Sequence, residues 1–471
     1  MYDHTKQYRC PIIRGKSQKD IDNLLPVYAN IIDAVCPCKT VDFPRFFNDE
    51  LKKYLKNDNE KTLSNHRTEI AGKLFGMFYE KDGLVQVSDK TRKFLADNDQ
   101  PAFFKDFCYK MQFPNGMEKP QTIQEHIKNK IKIRPYSFVL KVMLLANDAH
   151  LILTKKDIGY YILNSYDVLR GKATPDEVIT QIVKDRTASI TREVRTPGKE
   201  LSYDRQHIIE QLNYLELANL VVTDNKGIIV LNKREMTAIK FISDAYNANL
   251  MFDIYAQDLS TSAGRKKFKI QWGIEYALTG EKSAIFNTSS SALGVIPAAD
   301  NETPAAQEEP EKIEIGEEGE MYVFNYEKKR VKEYNKHLAG KVVYLGKIKG
   351  LGYDVQSIIA LHGAANAELA KYIEVKTTRR VTAPDLTDTT WEDIVQITKN
   401  EWDAACQHKE LYSIYRVYFC RDNVVIYFVD DVYHQKENGK IQVIPTNFRV
   451  YFTSQSVTNK YIENANGGQN V

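Results

Sequence analysis

Hydrophobic residues recur at helical spacing over roughly the first 280 residues, and short segments of alternating polarity separate the helical stretches. Residues 62–77 (TLSNHRTEIAGKLFGM) place their apolar side chains on one helical face. Residues 84–89 (LVQVSD) alternate as a strand does, and Ser88 or Asp89 is suited to cap the helix that follows. The pattern therefore predicts a helix, a strand and a second helix in this stretch.

The same order recurs twice further along the chain. Residues 136–146 (YSFVLKVMLLA) predict a helix, and Thr154 is suited to cap the next helix, over residues 157–163. Residues 204–219 (DRQHIIEQLNYLELAN) predict another helix, which precedes a predicted hairpin over residues 220–231 with an Asp-Asn-Lys-Gly turn. A helix followed by a β-hairpin is the winged-helix arrangement, so we expect three winged-helix subdomains in this region.

One change in composition divides the chain. Over residues 283–313, Ser, Ala, Pro and Glu predominate and few large apolar residues remain. Such a segment buries too little surface to offset its chain entropy, so it predicts an interdomain linker. The predicted boundaries are 1–282 for a mainly α-helical region (subdomains at about 1–118, 119–198 and 199–282), 283–313 for the linker, and 314–471 for an α/β domain with a mixed central sheet.

Winged helices bind double-stranded DNA with the outer face of a recognition helix, where Arg, Asn and Gln side chains hydrogen-bond to base edges. The charge distribution favours such a function, because residues 119–199 carry 15 Lys and Arg against 8 Asp and Glu, whereas the whole chain carries 65 against 62. A solvated charged face would explain the same excess. The predicted DNA-binding residues are Asn65, His66, Arg67, Arg134, Lys155, Lys156, Arg205 and Gln206.

Four segments of this region resemble a known class of enzymes. They are NHRTEIAGKLFGM, VSDKTRKFL, IRPYSFVLKVMLLA and LTKKDIGYYIL. Together they resemble the recognition half of type IIS restriction endonucleases of the FokI and AlwI kind. That resemblance implies tandem winged-helix subdomains that read an asymmetric DNA site.

The C-terminal region carries a sharper pattern of charged residues. A predicted helix opens at Gly316, and a short strand over residues 342–345 follows it. Asp354 and the Glu374-Val-Lys376 sequence then lie on two predicted neighbouring strands, 20 residues apart. This is the PD-(D/E)XK arrangement of nucleases.

Phosphodiester hydrolysis explains these residue types. Carboxylate oxygens from Asp354 and Glu374 are ligands that Mg²⁺ prefers. Because side chains alternate along a strand, Lys376 shares a face with Glu374, where it can orient the attacking water. Glu320, one turn into the preceding helix, is a further candidate ligand or base.

The order of these motifs also resembles a known domain. The GE-containing helix, Gly-Tyr-Asp, IEVKTT, ITKNEW and YSIYRV follow one another as in the nuclease-like C-terminal domain of NO VEIN-type proteins. The resemblance implies an active site of Glu320, Asp354, Glu374 and Lys376, and it makes Glu401 and Arg416 supporting polar residues. The segment LHGAANAEL, over residues 361–369, departs from the short turn of that family.

The composition narrows the class of protein further. No apolar run is long enough to cross a membrane, and the six cysteines are too sparse for a disulfide framework, so we expect a cytoplasmic protein with free thiols. The resemblance to restriction endonucleases implies a prokaryotic cell. Cys36 and Cys38 have no second pair of ligands at zinc spacing. The phosphate-binding loop of ATP-driven motors has no match either.

We therefore predict a Mg²⁺-dependent restriction endonuclease, of type IIS because recognition and cleavage occupy separate domains. A chain with one nuclease site would cut a duplex as a transient homodimer, and a cognate methyltransferase is expected in the same system. Two alternatives stay open at this point. One is a DNA-binding regulator with a degenerate nuclease-like domain, and the other is an enzyme that recognises modified bases.

Overall fold

The computed structural model describes residues 6–13, 17–196, 198–278, 283–289, 291–294, 315–348, 350–388, 391–444 and 449–464. The chain divides into two compact units. Unit 1 comprises residues 1–21, 28–95 and 100–288, and unit 2 comprises residues 22–27, 96–99 and 289–471. None of the helices in these described ranges is long and apolar enough to span a bilayer.

The α-helices are α1 (Gln18–Val35), α2 (Phe43–Leu55), α3 (Glu60–Asn65), α4 (Asp89–Asp97), α5 (Gln100–Lys110), α6 (Pro120–Lys128), α7 (Pro135–Asp148), α8 (Lys155–Ile158), α9 (Tyr166–Leu169), α10 (Pro175–Thr187), α11 (Leu201–Leu217), α12 (Met236–Asp244), α13 (Ser262–Ala277), α14 (Ile315–Tyr334), α15 (Lys399–His408) and α16 (Val432–Glu437). The strands are β1 (Cys38–Lys39), β2 (Phe78–Lys81), β3 (Leu84–Val87), β4 (Leu153–Thr154), β5 (Val221–Thr223), β6 (Ile228–Leu231), β7 (Val343–Tyr344), β8 (Val355–Ile358), β9 (Ala370–Arg379), β10 (Glu392–Gln396), β11 (Tyr412–Cys420), β12 (Asn423–Asp430), β13 (Gln442–Ile444), β14 (Arg449–Thr453) and β15 (Asn459–Asn464).

Unit 1 contains two three-stranded antiparallel sheets. The first has the order β1-β3-β2, and the helices α1, α2 and α3 precede its β2–β3 hairpin. The second has the order β4-β6-β5, and the helices α7, α8 and α11 lie before its β5–β6 hairpin in the chain. Each sheet therefore joins one early strand to a later hairpin across intervening helices.

The second sheet crosses a predicted boundary. Leu153 of β4 pairs with Ile229 of β6, although the sequence assigned these residues to different subdomains, 119–198 and 199–282. Pairing between strands this far apart depends on tertiary packing, which local periodicity does not report. The structure thus unites the second and third predicted repeats in one sheet.

Local capping places several helices where the sequence predicts them. The Ser88 hydroxyl accepts a hydrogen bond from the Thr91 amide (3.2 Å) at the start of α4. Thr154 and Asp157 form a capping box at α8. The Asp224 carboxylate accepts hydrogen bonds from the amides of Lys226 (2.9 Å) and Ile228 (2.8 Å), which closes the predicted hairpin turn.

Part of the predicted linker is folded. Residues 283–286 form a 3-10 turn, and the buried Phe286 ring lies 5.6 Å from the Tyr109 ring and 5.7 Å from the Phe241 ring. Thr288 accepts a hydrogen bond from the Lys105 ammonium (2.7 Å). The compact unit thus extends past residue 282, and residues 295–313 of the predicted linker lie outside the described ranges.

Unit 2 is built on a six-stranded mixed sheet in the order β15-β12-β11-β9-β8-β7. β9 and β11 are parallel, and the other neighbouring pairs are antiparallel. Val323 and Val331 of α14 pack on one face of the sheet. Ala404 and Ala405 of α15 pack on the other face, together with the small sheet β10-β14-β13. The predicted mixed central sheet is confirmed.

Candidate active site

Strand β9 carries the two central charged residues of unit 2. Val375 points into the core beneath α14, so Glu374 and Lys376 face the opposite side of the sheet. The Lys376 ammonium donates a hydrogen bond to Glu374 Oε1 at 2.6 Å. The predicted alternation therefore brings these two side chains together.

Asp354 reaches the same place from the position just before β8. Its amide donates a hydrogen bond to the Ile373 carbonyl (2.9 Å), and its Oδ2 accepts one from the Val375 amide (2.8 Å). β8 and β9 pair in register, with Val355 opposite Ile373, across the turn at residues 361–369. The unusual length of that turn therefore leaves the predicted hairpin intact.

Glu401 holds Lys376 from the other side. Its Oε2 lies 3.1 Å from the Lys376 ammonium and also accepts a hydrogen bond from the Thr398 amide (2.7 Å). The Thr398 side chain and Glu401 form a capping box at the start of α15. The Glu401 carboxylate thus caps α15 and also holds the Lys376 ammonium.

Glu320 lies in the second turn of α14. It accepts a hydrogen bond from the Tyr344 hydroxyl at 2.9 Å. A Cβ at Gly346 would lie 1.9 Å from Glu320 Oε2, so a larger residue there would have to displace this carboxylate. Helix α14 therefore presents a fourth carboxylate beside the two strands.

Burial and crowded negative charge shift the pKa values of this cluster. Burial, with the negative charge of Glu320 second, raises the pKa of Asp354 to about 7. Burial also raises the pKa of Glu374 well above its ordinary value, against the attraction of Lys376. Burial raises the pKa of Glu320 as well. Lys376 alone leaves this negative charge incompletely offset, and a bound cation would offset it further.

The donor chemistry fits a hard divalent cation. In the described part of the chain, no three His, Cys, Asp or Glu side chains are arranged to hold a metal ion by themselves. Asp354 and Glu374 supply two carboxylates, and Mg²⁺ commonly binds proteins through one or two carboxylates, with water and substrate phosphates as the other ligands. The residues present are therefore sufficient for Mg²⁺ that is shared with a phosphate.

Arg416 is a buried support for β9. Its guanidinium donates to Asp393 Oδ2 (2.6 Å) and to the Lys376 carbonyl (3.1 Å). The Tyr418 hydroxyl also hydrogen-bonds to Asp393. Arg416 thus hydrogen-bonds to the backbone at Lys376, and its supporting role stays a prediction.

Sequence reasoning missed two tyrosines that shape the cluster. Tyr344 precedes Asp354 by ten residues and bonds to Glu320. The buried Tyr412 donates to the Gly352 carbonyl (2.9 Å), which fixes the backbone just before Asp354. Neither belongs to a short motif with its partner, so their separation in sequence gave no signal.

Three of the predicted DNA-binding residues are engaged inside unit 1. His66 is 3% exposed and is hydrogen-bonded to the Tyr28 hydroxyl. Arg134 is 8% exposed and donates twice to the Asn249 carbonyl (2.8 and 3.1 Å). Arg67 is half-buried and donates to a backbone carbonyl of α2 at 3.3 Å. The surface positions predicted for His66 and Arg134 are therefore corrected, because both side chains satisfy buried partners.

The other predicted DNA-binding residues keep more of their surface. Lys155 is half-buried and lies 3.4 Å from Glu216. Arg205 and Lys156 lie 2.9 and 3.7 Å from the shared partner Glu193. The exposed members of the set are Asn65, Lys156, Arg205 and Gln206.

Comparison with known proteins finds two family matches in separate stretches. The family model described as "Restriction endonuclease BpuJI - N terminal" matches residues 2–273. The model described as "Protein NO VEIN, C-terminal" matches residues 319–429. The first match is to the BpuJI family, whereas the sequence motifs suggested enzymes of the FokI and AlwI kind. The second match agrees with the resemblance to NO VEIN-type proteins.

A solved structure of a DNA complex is similar to more than half of this chain. It is titled "Crystal structure of pyrene- and phenanthrene-modified DNA in complex with the BpuJ1 endonuclease binding domain". The two chains are 48% identical with a TM-score of 0.56, and the match covers 59% of this chain and 100% of the other. No curated protein matches this chain significantly.

Proposed function

Since the chain belongs to the family of the restriction endonuclease BpuJI N-terminal domain, we propose that it is a sequence-specific DNA endonuclease with a Mg²⁺-dependent site in unit 2. The observation that carries the nuclease proposal is the Lys376 ammonium between Glu374 and Glu401, beside an Asp354 carboxylate hydrogen-bonded to the same strand. This arrangement supports a proposed PD-(D/E)XK site at these residues.

DNA recognition is assigned to unit 1. The similar solved structure is a complex of a BpuJ1 binding domain with DNA, and its whole length matches this chain. The helix order before each three-stranded sheet supports two winged-helix modules, with β2–β3 and β5–β6 as the wings. Arg205 and Gln206, exposed on α11 ahead of the second wing, are then candidates to read bases.

The chemistry assigned to unit 2 is in-line hydrolysis of a phosphodiester. Asp354 and Glu374 would hold Mg²⁺, which supplies stabilisation of the negative charge that develops on the phosphate. Lys376 donates hydrogen bonds toward the attacking water and the phosphate, and Glu401 keeps its ammonium on the reacting side. Burial raises the pKa of Asp354 to about 7, so Asp354 would have to release its proton to serve as a ligand.

The type IIS assignment and the partners are part of the proposal. Among the described residues, the proposed nuclease cluster is a single set on β9 and at the residue before β8, and one such set would cleave one strand at a time. We expect double-strand cleavage by two copies that meet transiently on DNA, and a methyltransferase that protects the host site. The degenerate alternative is disfavoured because Asp354, Glu374 and Lys376 are all present. The Lys376 ammonium contacts Glu374, and the Asp354 carboxylate is hydrogen-bonded to the Val375 amide between them.

The experiment that tests this function is digestion of a sequenced plasmid with the full chain. We expect cleavage with Mg²⁺, no cleavage with a chelator, and ends that map to fixed positions beside one asymmetric sequence. The double-strand rate on a single-site substrate should rise more steeply than linearly with enzyme concentration. Random ends, or cleavage that persists in the chelator, would contradict the proposal.

A further inference from the structure

Helix α13 carries a face of lysines that sequence reasoning left out of the DNA-binding set. Lys266, Lys267 and Lys269 are all exposed, and residues 259–274 contain no Asp or Glu. The opposite face of the helix is buried through Phe268 and Trp272. The lysine face, as we call these three residues, is therefore fixed toward solvent by the packing of the helix.

The lysine face differs from the predicted DNA-binding cations in its partners. Lys155 pairs with Glu216, and Lys156 and Arg205 share Glu193. Within the ranges that the structure describes, no carboxylate forms an ion pair with the three ammonium groups of the lysine face. An anion that binds there displaces none of the described carboxylates, so no ion pair among them offsets the electrostatic gain.

The position of α13 also favours DNA. The helix packs against β2, since a Cβ at Gly273 would lie 3.9 Å from that of Tyr79, and the Tyr276 hydroxyl donates to the Leu74 carbonyl (2.8 Å). The lysine face therefore belongs to the same body as the first proposed wing. Wings lie along the sugar-phosphate backbone, where point charges on flexible stems bind without reading sequence.

We propose that Lys266, Lys267 and Lys269 bind the phosphate backbone of duplex DNA. This inference deepens the proposed function and rests on it, because it assigns to α13 a share of the affinity of unit 1 for DNA. Each lysine that neutralises a phosphate releases condensed counterion, so these contacts appear as salt dependence and act equally on all sequences.

The test is the salt dependence of binding by the full chain to a mixed-sequence duplex of about 25 base pairs, with a chelator present to prevent cleavage. In the variant Lys266→Ala/Lys267→Ala/Lys269→Ala, the slope of log K against log salt should fall in magnitude by about 2 to 3. Affinity at 0.15 M salt should fall about 10- to 100-fold. The triple Lys→Arg variant, which keeps the charges, should retain the wild-type slope.

The matched control is Lys328→Ala/Lys329→Ala/Lys332→Ala, which removes three exposed lysines from α14 of unit 2. Its slope should equal that of the wild type. If the α13 variant keeps the wild-type slope and the wild-type circular dichroism, this inference is overturned and the proposed function is not affected. If the α14 control loses as much slope as the α13 variant, the inference is also overturned, because the loss then reflects net charge and not the position of the lysines. Failure of the wild type to bind duplex DNA would instead refute the proposed function.

Discussion

Glu401 combines two tasks in one carboxylate. It accepts the Thr398 amide at the start of α15 and the Lys376 ammonium on β9. The first contact stabilises the helix, and the second aims the lysine that the proposed chemistry needs. Substitutions at Glu401 and Thr398 can separate these tasks, because Thr398 contributes to the cap and does not contact Lys376.

We predict that Glu401→Gln lowers the cleavage rate at least about tenfold, because the variant loses the negative charge that holds Lys376. The free energy of unfolding should change by about 1 kcal/mol or less, because the amide oxygen of Gln can still accept the cap hydrogen bond. Thr398→Ala should cost about 1 kcal/mol of stability and leave most of the activity. Single-turnover cleavage and thermal melting of both variants check this. Equal activity loss in the two would mean that α15 merely needs its cap.

Spacing along single segments made the core of the cluster predictable. Glu374 and Lys376 share a face because side chains alternate along a strand, and Asp354 follows from the pattern of the neighbouring strand. The roles of Tyr344 and Tyr412 depend on contacts across the fold, so the sequence alone did not indicate them. His66 and Arg134 have residue types common at DNA interfaces, but residue type does not report burial.

At the scale of elements, Gly319 sets how closely α14 approaches β9. A Cβ at this position would lie 1.8 Å from Thr377 Oγ1 and 2.8 Å from Thr377 Cβ. Thr377 lies on β9, the strand that carries Glu374 and Lys376. A larger residue would therefore push α14, and Glu320 with it, away from the cluster.

Gly319→Ala should reduce cleavage strongly and lower stability by about 1 to 3 kcal/mol, because the clash is with a buried strand. Gly316→Ala is the matched control on the same helix, since among the described residues its Cβ would meet only Glu320 Oε1, at 3.7 Å. That control should keep activity and stability. Cleavage assays and denaturant titrations measure both, and a fully active Gly319→Ala protein would contradict the close packing.

Helix α4 contains a buried lysine, Lys90, whose charged form is destabilised by burial. Lys90 is 3% exposed, and its ammonium lies 3.8 Å from the Tyr276 ring centroid and 3.8 Å from Asp106. Burial lowers the pKa of Lys90 to about 7, with Lys110 contributing next. The unfolded chain, with a lysine pKa near 10.4, binds this proton more readily than the folded protein.

The free energy of unfolding should therefore fall as pH drops from about 10 to about 7, because in this range the unfolded chain binds the Lys90 proton more tightly than the folded protein does. Below about pH 7 both states hold the proton, and this contribution should level off. We predict that Lys90→Met stabilises the protein by about 2 kcal/mol more at pH 7 than at pH 9. Asp106 keeps Lys110 as a partner at 2.9 Å in this variant. Denaturant titrations of both proteins at the two pH values measure the difference, and a pH-independent gain would show that Lys90 titrates normally.

Elements with strong local signals were predictable, and their pairing was less so. The caps at Ser88 and Thr154 and the Asp224 turn occur where the sequence places them. The pairing of β4 with β6 was not predicted, because its partners are separated by the whole of α8 to α11. Local capping chemistry is encoded within a few residues, whereas this sheet forms only after distant helices pack.

For the whole molecule, the end of unit 1 decides which fragment is independent. Phe286 and Thr288 are buried against α5 and its neighbours, although composition suggested a linker from residue 283. Composition is an average over many residues, so it does not reveal two buried residues within a run of small polar ones. The sequence therefore predicted the existence of a division and set its first boundary too early.

We predict that a fragment of residues 1–289 binds duplex DNA and melts about 5 to 10 °C above a fragment of residues 1–282, which lacks the Phe286 anchor. Phe286→Ala in the longer fragment is the control and should remove most of the difference. Thermal melts and DNA titrations of the three proteins test this. Identical melting temperatures would return residues 283–289 to the linker.

The central claim is that sequence recognition in unit 1 and metal-dependent hydrolysis at Asp354, Glu374 and Lys376 are separable functions of one chain. The direct test measures DNA binding and Mg²⁺-dependent cleavage side by side for the wild type and for Asp354→Ala, Glu374→Ala and Lys376→Ala. We predict that each variant loses cleavage by at least about a thousandfold and binds the mapped site with wild-type affinity. Wild-type cleavage in any of the three would contradict this account.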